Sequence, residues 1–262
     1  MKRIILLIIF LSLFLNAKTI EATYKISYGI FGELGLAKTT LELLPNNTYK
    51  IKVHAFATGI AKFLSSNKEE FYESHGFIKN NLFFPNKFIE ISNNSYKKRA
   101  KTYQFDYEKN QVLLEKHEKR LITKFDKDLQ RVESWQNSSS NELSKYFTPN
   151  DLLSLFFNLN KVIPSFAQGN SYQLKAIGAN KENGKLDIII PNDKRYQELE
   201  NSLDTKNKKF IVAIHQKIFS SSNGELFISL NKEGFCDKAV LKDVLIFGDI
   251  TGEMIDFKID KG

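Results

Sequence analysis

Apolar and polar residues alternate along much of the chain, and the alternation is clearest near its beginning. Between residues 19 and 28, apolar or aromatic residues occupy every second position and polar residues fill the positions between them. A period of two is typical of a β-strand with one buried and one solvent-facing side. The glycines of GIFGELG predict a turn into a second strand over residues 36–44, and PNNT predicts a turn into a third at YKIKVHAFA. We therefore expect an antiparallel meander.

The same pattern predicts further strands along the rest of the chain. In KTYQFDYEKNQVLL, the residues Tyr103, Phe105 and Tyr107 lie on one side, and EKNQ is the predicted turn. Four closing strands are predicted at FIVAIHQKIF, GELFISL, KAVLKDVLIF and GDITGEMIDFKI; the third of these is apolar on both sides near its end, so each side needs a cover. Two polar intervals interrupt the pattern: residues 136–145 are expected to form a loop, and residues 193–209 are expected to hold a short helix.

One segment, TPNDLLSLFFNLNKVIP, has the pattern of a helix. Thr148 is the predicted N-cap, with Pro149 in the first helical position, Asp151 near the capping-box position and Pro164 as the stop. Apolar residues leave almost no polar side on this helix, so it must be buried. Two interpretations remain open. The helix is either core packed in the concavity of a curved sheet, or a lid over a ligand cavity.

These patterns together predict a mostly β protein. We expect a strongly curved antiparallel sheet or an open β-barrel, with one buried apolar helix packed in or over its concave face. No linker separates the elements, so residues 18–262 are expected to form a single β-rich domain.

The first 17 residues are typical of a secretory signal peptide. Lys2 and Arg3 precede a mainly apolar stretch from Ile4 to Leu15, and Ala17 is a plausible cleavage point. The stretch of 12 residues is shorter than the roughly 17 to 25 that a membrane-spanning helix needs. We expect cleavage near Ala17, no stable transmembrane anchor and a periplasmic location.

The net charge of the chain limits the kinds of binding partner that we expect. The formal net charge of +8 falls to +6 when Lys2 and Arg3 leave with the predicted leader, which contains no acid. A basic surface of this size favours solubility and weak association with anionic membrane surfaces. The basic clusters YKKRAK and EKHEKR are explained as solvated strand faces, and we expect no nucleic acid as partner.

The order of several short segments resembles a known family. YKISYGIFGELGLAKTTLEL, YKIKVHAFATGIAKFL, FYESHGFIKNNLFFPNKF, YQFDYEKN, the PNDLLSLFF helix and GELFISLNKEGFCDKAVLKDVLIFGDITGEM are together similar to domain-of-unknown-function family 3108. The resemblance would span most of the mature chain. It implies a periplasmic β protein of Gram-negative bacteria, and it implies no activity and no catalytic residues.

Candidate chemistry is sparse. His54, His75, His117 and His215 are each alone on a different predicted strand, without the short spacing of a metal site, and a solvated or locally hydrogen-bonded role is favoured. Cys236 cannot form an intrachain disulfide and is expected to pack as a small apolar residue. Neither a Gly-x-Ser-x-Gly elbow nor a phosphate loop occurs. We expect no catalytic residues, no metal and no cofactor.

Two functions remain open from the sequence. The first is a non-catalytic binding module for an apolar or lipid-like ligand, with candidate contacts at Leu153, Phe156 and Phe157 of the helix and at the aromatic row Tyr103, Phe105 and Tyr107. For this row, a place in the sheet core is the preferred interpretation, because strands routinely bury an aromatic side. The second is a structural or protein-interaction component of the cell envelope with a fully packed core.

Overall fold

The computed structural model describes residues 17–29, 32–125, 130–179, 183–214, 225–244 and 248–261. The predicted signal peptide lies almost entirely outside these residues. The elements are β1 (Lys18–Tyr28), β2 (Gly32–Leu44), β3 (Thr48–Ala57), α1 (Gly59–Leu64), β4 (Glu69–Lys79), β5 (Leu82–Asn93), β6 (Lys97–Asp106), β7 (Gln111–Phe125), β8 (Arg131–Leu143), α2 (Leu152–Val162), β9 (Ser171–Lys175), β10 (Lys185–Ile189), α3 (Asp193–Leu203), β11 (Lys208–Ile214), β12 (Glu225–Leu230), β13 (Cys236–Leu241) and β14 (Ile250–Lys261).

The described strands form one antiparallel sheet built from two meanders. The order across the sheet is β8-β7-β6-β5-β4-β3-β2-β1-β14-β13-β12-β11-β10-β9. Strands β1 to β8 and strands β9 to β14 each run in chain order, and pairing of β1 with β14 joins the two series. Strands β8 and β9 are the two edges, so the sheet is open. The predicted mostly β fold is confirmed, and the sheet does not close into a barrel.

Helix α2 shows that the sheet curves strongly. Leu155 and Leu159 pack with residues of β10, β11 and β12, whereas Leu152 and Leu153 pack against the core that β6 and β7 contribute to. Strands β7 and β10 are 11 intervals apart in the sheet, a distance of about 50 Å if the sheet were flat. One helix can contact both only because the sheet bends around it, as the sequence predicted.

Helix α3 covers the opposite side of the second meander. Leu199 and Leu203 of this helix pack with Ile211, Phe227 and Val240 in a fully buried cluster. The short helix expected within residues 193–209 is therefore confirmed, and it answers the need of the KAVLKDVLIF segment for a cover on both sides. Strand β13 itself ends earlier than predicted, at Leu241, and residues 245–247 lie outside the described part of the chain.

Strand β8 corrects one expectation. Residues 136–145 were expected to form a loop, yet most of them belong to β8, which pairs with β7 along its whole length. Every residue of β8 is exposed. A strand that is solvated on both sides has no buried side to impose apolar alternation, so its polar composition imitates that of a loop.

Candidate ligand-binding site

The start of helix α2 differs from the prediction in its capping residue. Asp151 is the N-cap: its Oδ1 accepts a hydrogen bond of 2.7 Å from the Ser154 backbone N–H, and the Asp151 N–H donates to Ser154 Oγ at 2.9 Å. Thr148 was wrongly predicted as the cap, because its hydroxyl instead donates to the Lys175 carbonyl at 3.0 Å. Pro149 consequently lies before the helix. The predicted stop is confirmed, since the helix ends before Ile163 and Pro164.

A buried polar chain ties this helix start to the sheet. Ser74 Oγ of β4 donates to Asp151 Oδ2 at 2.5 Å, and Tyr49 Oη of β3 lies 3.0 Å from the same Ser74 oxygen. Asp151 and Ser74 are fully buried. Burial raises the pKa of Asp151 to about 6, although the hydrogen bonds from Ser74 and the Ser154 backbone act in the opposite direction.

A second buried polar contact fixes the middle of the helix. Asn158 accepts from the Phe83 N–H at 2.9 Å and donates to the Phe83 carbonyl at 3.0 Å, so its amide pairs with the β5 backbone as a neighbouring strand would. Lifting α2 from the sheet would break these bonds and leave buried polar groups without partners, which is costly. The contacts therefore support the core interpretation of α2 rather than the lid.

The helix candidates for ligand contact lie within this packed region. Phe157 is 7% exposed and makes edge-to-face contacts with Phe235 and Phe83, with ring centroids 4.9 Å and 6.3 Å away. Phe156 and Leu153 are partly buried, and each packs against two core clusters. All three residues fill space between the helix and the sheet.

The aromatic row on β6 and the following turn is also largely core. Tyr103 is buried and stacks on Phe88 at 5.6 Å between centroids. Phe105 packs against the same cluster, and Tyr107 donates its hydroxyl hydrogen to the Pro85 carbonyl at 2.8 Å. The ligand-contact role of these six candidates stays a prediction, and none of them lines the apolar cleft of the protein.

That apolar cleft lies at the other end of the concave side. Alternation along β1 places Ile26 on the same side as Ile20 and Ala22, which pack with Phe157 below α2. The cleft has a volume of about 480 Å³, within the usual range for small-molecule sites. Its walls come from β1–β4, β12–β14 and α1; its apolar lining includes Ile26, Leu34, Ala55, Ala57, Ala61, Leu226, Ala239, Leu241 and Ile250.

Small residues create the space in this cleft. Ala55, Ala239 and Gly252 line the cleft, whereas larger apolar residues fill the concave side of the sheet beneath α2. A Cβ built on Gly252 would meet nothing within 4 Å, and this glycine does not have a positive φ. A side chain at position 252 would therefore enter the cleft without backbone strain.

A charged cleft adjoins the apolar one. Glu70 lines both, and the second cleft, of about 350 Å³, also contains Glu90, Arg99, Lys101 and Lys116 from β5 to β7. Glu70 is held by Lys68 Nζ at 2.9 Å and by the Tyr72 hydroxyl at 3.2 Å. The concave side thus changes from apolar to charged across the strand that carries Glu70.

Two of the remaining polar candidates, His54 and Cys236, pack against aromatic or apolar side chains. His54 is half-buried and stacks on Phe71 at 4.0 Å, and its buried Nε2 has no hydrogen-bond partner among the described residues. The solvated or hydrogen-bonded role favoured for it stays a prediction. His215 lies outside the described residues. Burial raises the pKa of the Cys236 thiol to about 12, and this residue packs against the core as predicted. Within the described ranges, no three His, Cys, Asp or Glu side chains are arranged to hold a metal ion.

A comparison with protein families finds a match to the first meander. The family model described as "Protein of unknown function (DUF3108)" matches residues 23–142, which run from β1 to the end of β8. This segment is similar to the DUF3108 family. The family resemblance is thereby confirmed, and its predicted extension over α2 and β9–β14 stays a prediction because the DUF3108 match covers 120 of the 262 residues. No curated protein matches the chain.

The apolar cleft escaped sequence reasoning for a physical reason. Its lining is spread over β1–β4 and β12–β14, which are joined only through the β1–β14 pair. The local signal was the presence of small residues on these strands, such as Ala55 and Gly252. Helix α1 was also missed, although Ile60, Phe63 and Leu64 have the i, i+3, i+4 spacing of a helix.

Proposed function

We propose that this protein is a non-catalytic binding module of the periplasm that holds an apolar, lipid-like ligand in the cleft between the two meanders. The observation that carries the proposal is the cleft itself, because its lining is almost wholly apolar and small side chains keep it open. A large exposed apolar surface on a protein usually marks a binding site.

The adjoining charged cleft supports an amphiphile rather than a plain hydrocarbon. A ligand whose apolar chain occupies the cleft would meet Glu70 at its boundary and the charges of β5 to β7 beyond. Arg99 and Lys116 lie on that side and are suited to a polar or anionic end group. The pairing of an apolar cleft with a charged one is what a lipid-like ligand requires.

The periplasmic location rests on the leader sequence and the basic mature chain. N-terminal sequencing of the exported protein should find a start near Lys18. Recovery of intact Met1 on a membrane-bound protein would contradict the proposed location.

The test of binding uses a side chain that fills the cleft. Gly252→Leu places an apolar group into the open space at β14, and we expect it to weaken binding of the uncharged fluorescent probe N-phenyl-1-naphthylamine by about tenfold or more, equivalent to about 1.4 kcal/mol of lost binding free energy. The matched control is Glu253→Leu. This neighbouring residue is exposed, and strand alternation directs it to the opposite side of the sheet.

The alternative function is a structural or interaction component of the cell envelope, and the packed contacts of α2 favour it. It predicts no probe uptake by the unchanged protein and no ligand in native mass spectra of protein purified gently from its periplasm. Equal probe affinity in the Gly252→Leu and Glu253→Leu variants would likewise refute binding in the cleft.

A further inference from the structure

Helix α1 presents its large apolar residues to solvent. Ile60, Phe63 and Leu64 are 78%, 84% and 76% exposed, whereas the small residues Ala61 and Ser65 line the cleft. A surface helix normally turns its large apolar side chains toward the core. The reversed arrangement of α1 therefore has no explanation in folding stability.

Hydrogen bonds hold this helix firmly at both ends. Before it, the Thr58 N–H donates to the Leu34 carbonyl at 2.9 Å and the Thr58 hydroxyl donates to Glu33 at 2.9 Å. After it, the Ser95 N–H donates to the Ser66 carbonyl at 2.8 Å, and the Asn67 amide donates to Ser95 Oγ at 2.9 Å. The three apolar side chains are thus displayed on a fixed support.

The size and charge of this surface fit a lipid membrane better than a protein. A stable protein interface uses about 20 to 30 residues on each side, far more than a single turn and a half of helix offers. Lys62 lies among the three apolar residues, is exposed, and has no ion-pair partner in the described part of the chain. Apolar side chains beside an unpaired cation, on a chain of net positive charge, are complementary to anionic headgroups over acyl chains.

We propose that α1 docks this protein on anionic phospholipid membranes by inserting Ile60, Phe63 and Leu64 into the interfacial layer. The inference rests on the proposed function, because docking through α1 brings the mouth of the apolar cleft against the lipid from which a ligand would enter or leave. Three side chains provide only weak, reversible attachment, which suits a protein that must also leave the membrane.

The test is co-sedimentation of the mature protein with vesicles. We expect binding to vesicles of phosphatidylglycerol and phosphatidylethanolamine, weaker binding to pure phosphatidylcholine vesicles, and loss of binding at high salt. Phe63→Ser should reduce the bound fraction at least about fivefold, as expected when one of three inserted apolar groups is removed. The matched control is Trp135→Ser, which removes an exposed aromatic residue from strand β8. Lys62→Glu should reduce binding to the anionic vesicles alone.

The outcomes separate docking from ligand binding. Phe63→Ser should leave the affinity for N-phenyl-1-naphthylamine unchanged, whereas Gly252→Leu should lose the probe and keep the vesicles. Absence of vesicle binding, equal losses in Phe63→Ser and Trp135→Ser, or loss of the soluble probe in Phe63→Ser would each overturn the docking role. Concentration-dependent self-association that disappears in Phe63→Ser would assign the surface to a second copy of the chain instead. Vesicle binding without probe uptake would refute the proposed function and leave docking in place.

Discussion

Replacing Phe157 with Ala tests whether α2 is core. The side chain is 7% exposed and its ring contacts Phe235, Phe83 and Phe156. Truncation of a buried Phe usually costs about 3 to 5 kcal/mol in the free energy of unfolding, and each lost aromatic pair contributes about 0.5 to 1.5 kcal/mol. Because three aromatic pairs end at this ring, we expect a loss in the upper part of the range for buried Phe.

Chemical denaturation in urea, followed by circular dichroism, measures this loss. For a chain of this size, each kcal/mol lowers the melting temperature by about 2 to 4 °C, so the melting temperature in a parallel thermal scan should fall by roughly 8 to 20 °C. Phe63→Ala is the matched control: its side chain is 84% exposed, and the change should stay within about 0.5 kcal/mol. A loss below about 1 kcal/mol for Phe157→Ala would refute the core interpretation of α2 and favour the interpretation of this helix as a lid.

Two further predictions concern buried titratable groups. Burial raises the pKa of Asp151 to about 6 in the folded protein against an ordinary 3.8, so the folded state holds this proton more tightly. Relative to Asp151→Asn, which keeps the helix cap, the wild type should lose about 2 kcal/mol of unfolding free energy as the pH rises from about 4 to 7. Parallel pH profiles of the two proteins would exclude this. Cys236, whose pKa is raised to about 12 by burial, should react with a maleimide reagent only after unfolding; rapid labelling of the native protein at pH 7 would show that the thiol is accessible.

Secondary structure could be predicted from the sequence where one side of an element is buried. Alternation predicted β1 and β3 because Ile20, Tyr49 and Ile51 alternate with solvated residues, and the apolar content of α2 predicted its burial. Alternation failed for β8, where both sides are wet. The N-cap of α2 was also predicted wrongly. Thr148 and Asp151 are both residue types that favour this position, and only the buried contact with Ser74 selects Asp151.

The candidate site was less accessible to sequence reasoning. The cleft depends on which small residues come together from distant strands, and Ala55 and Gly252 are almost 200 positions apart. The helix and the aromatic row attracted attention because they are large and apolar, whereas the space for a ligand is created by residues that lack side chains. In this fold, the open volume comes from positions without large side chains, and hydrophobic periodicity does not detect such positions.

The pairing of β1 with β14 also has a consequence for how the chain folds. Strand β1 pairs on one edge with β2, but its other edge must wait for synthesis of β14, since Ile20 lies opposite Ile259. Contacts of such long sequence separation slow folding and leave an unpaired strand edge open to aggregation in the meantime. We expect refolding to be limited by this closing step, and deletion of β14 to expose the middle of the sheet rather than merely shorten its edge.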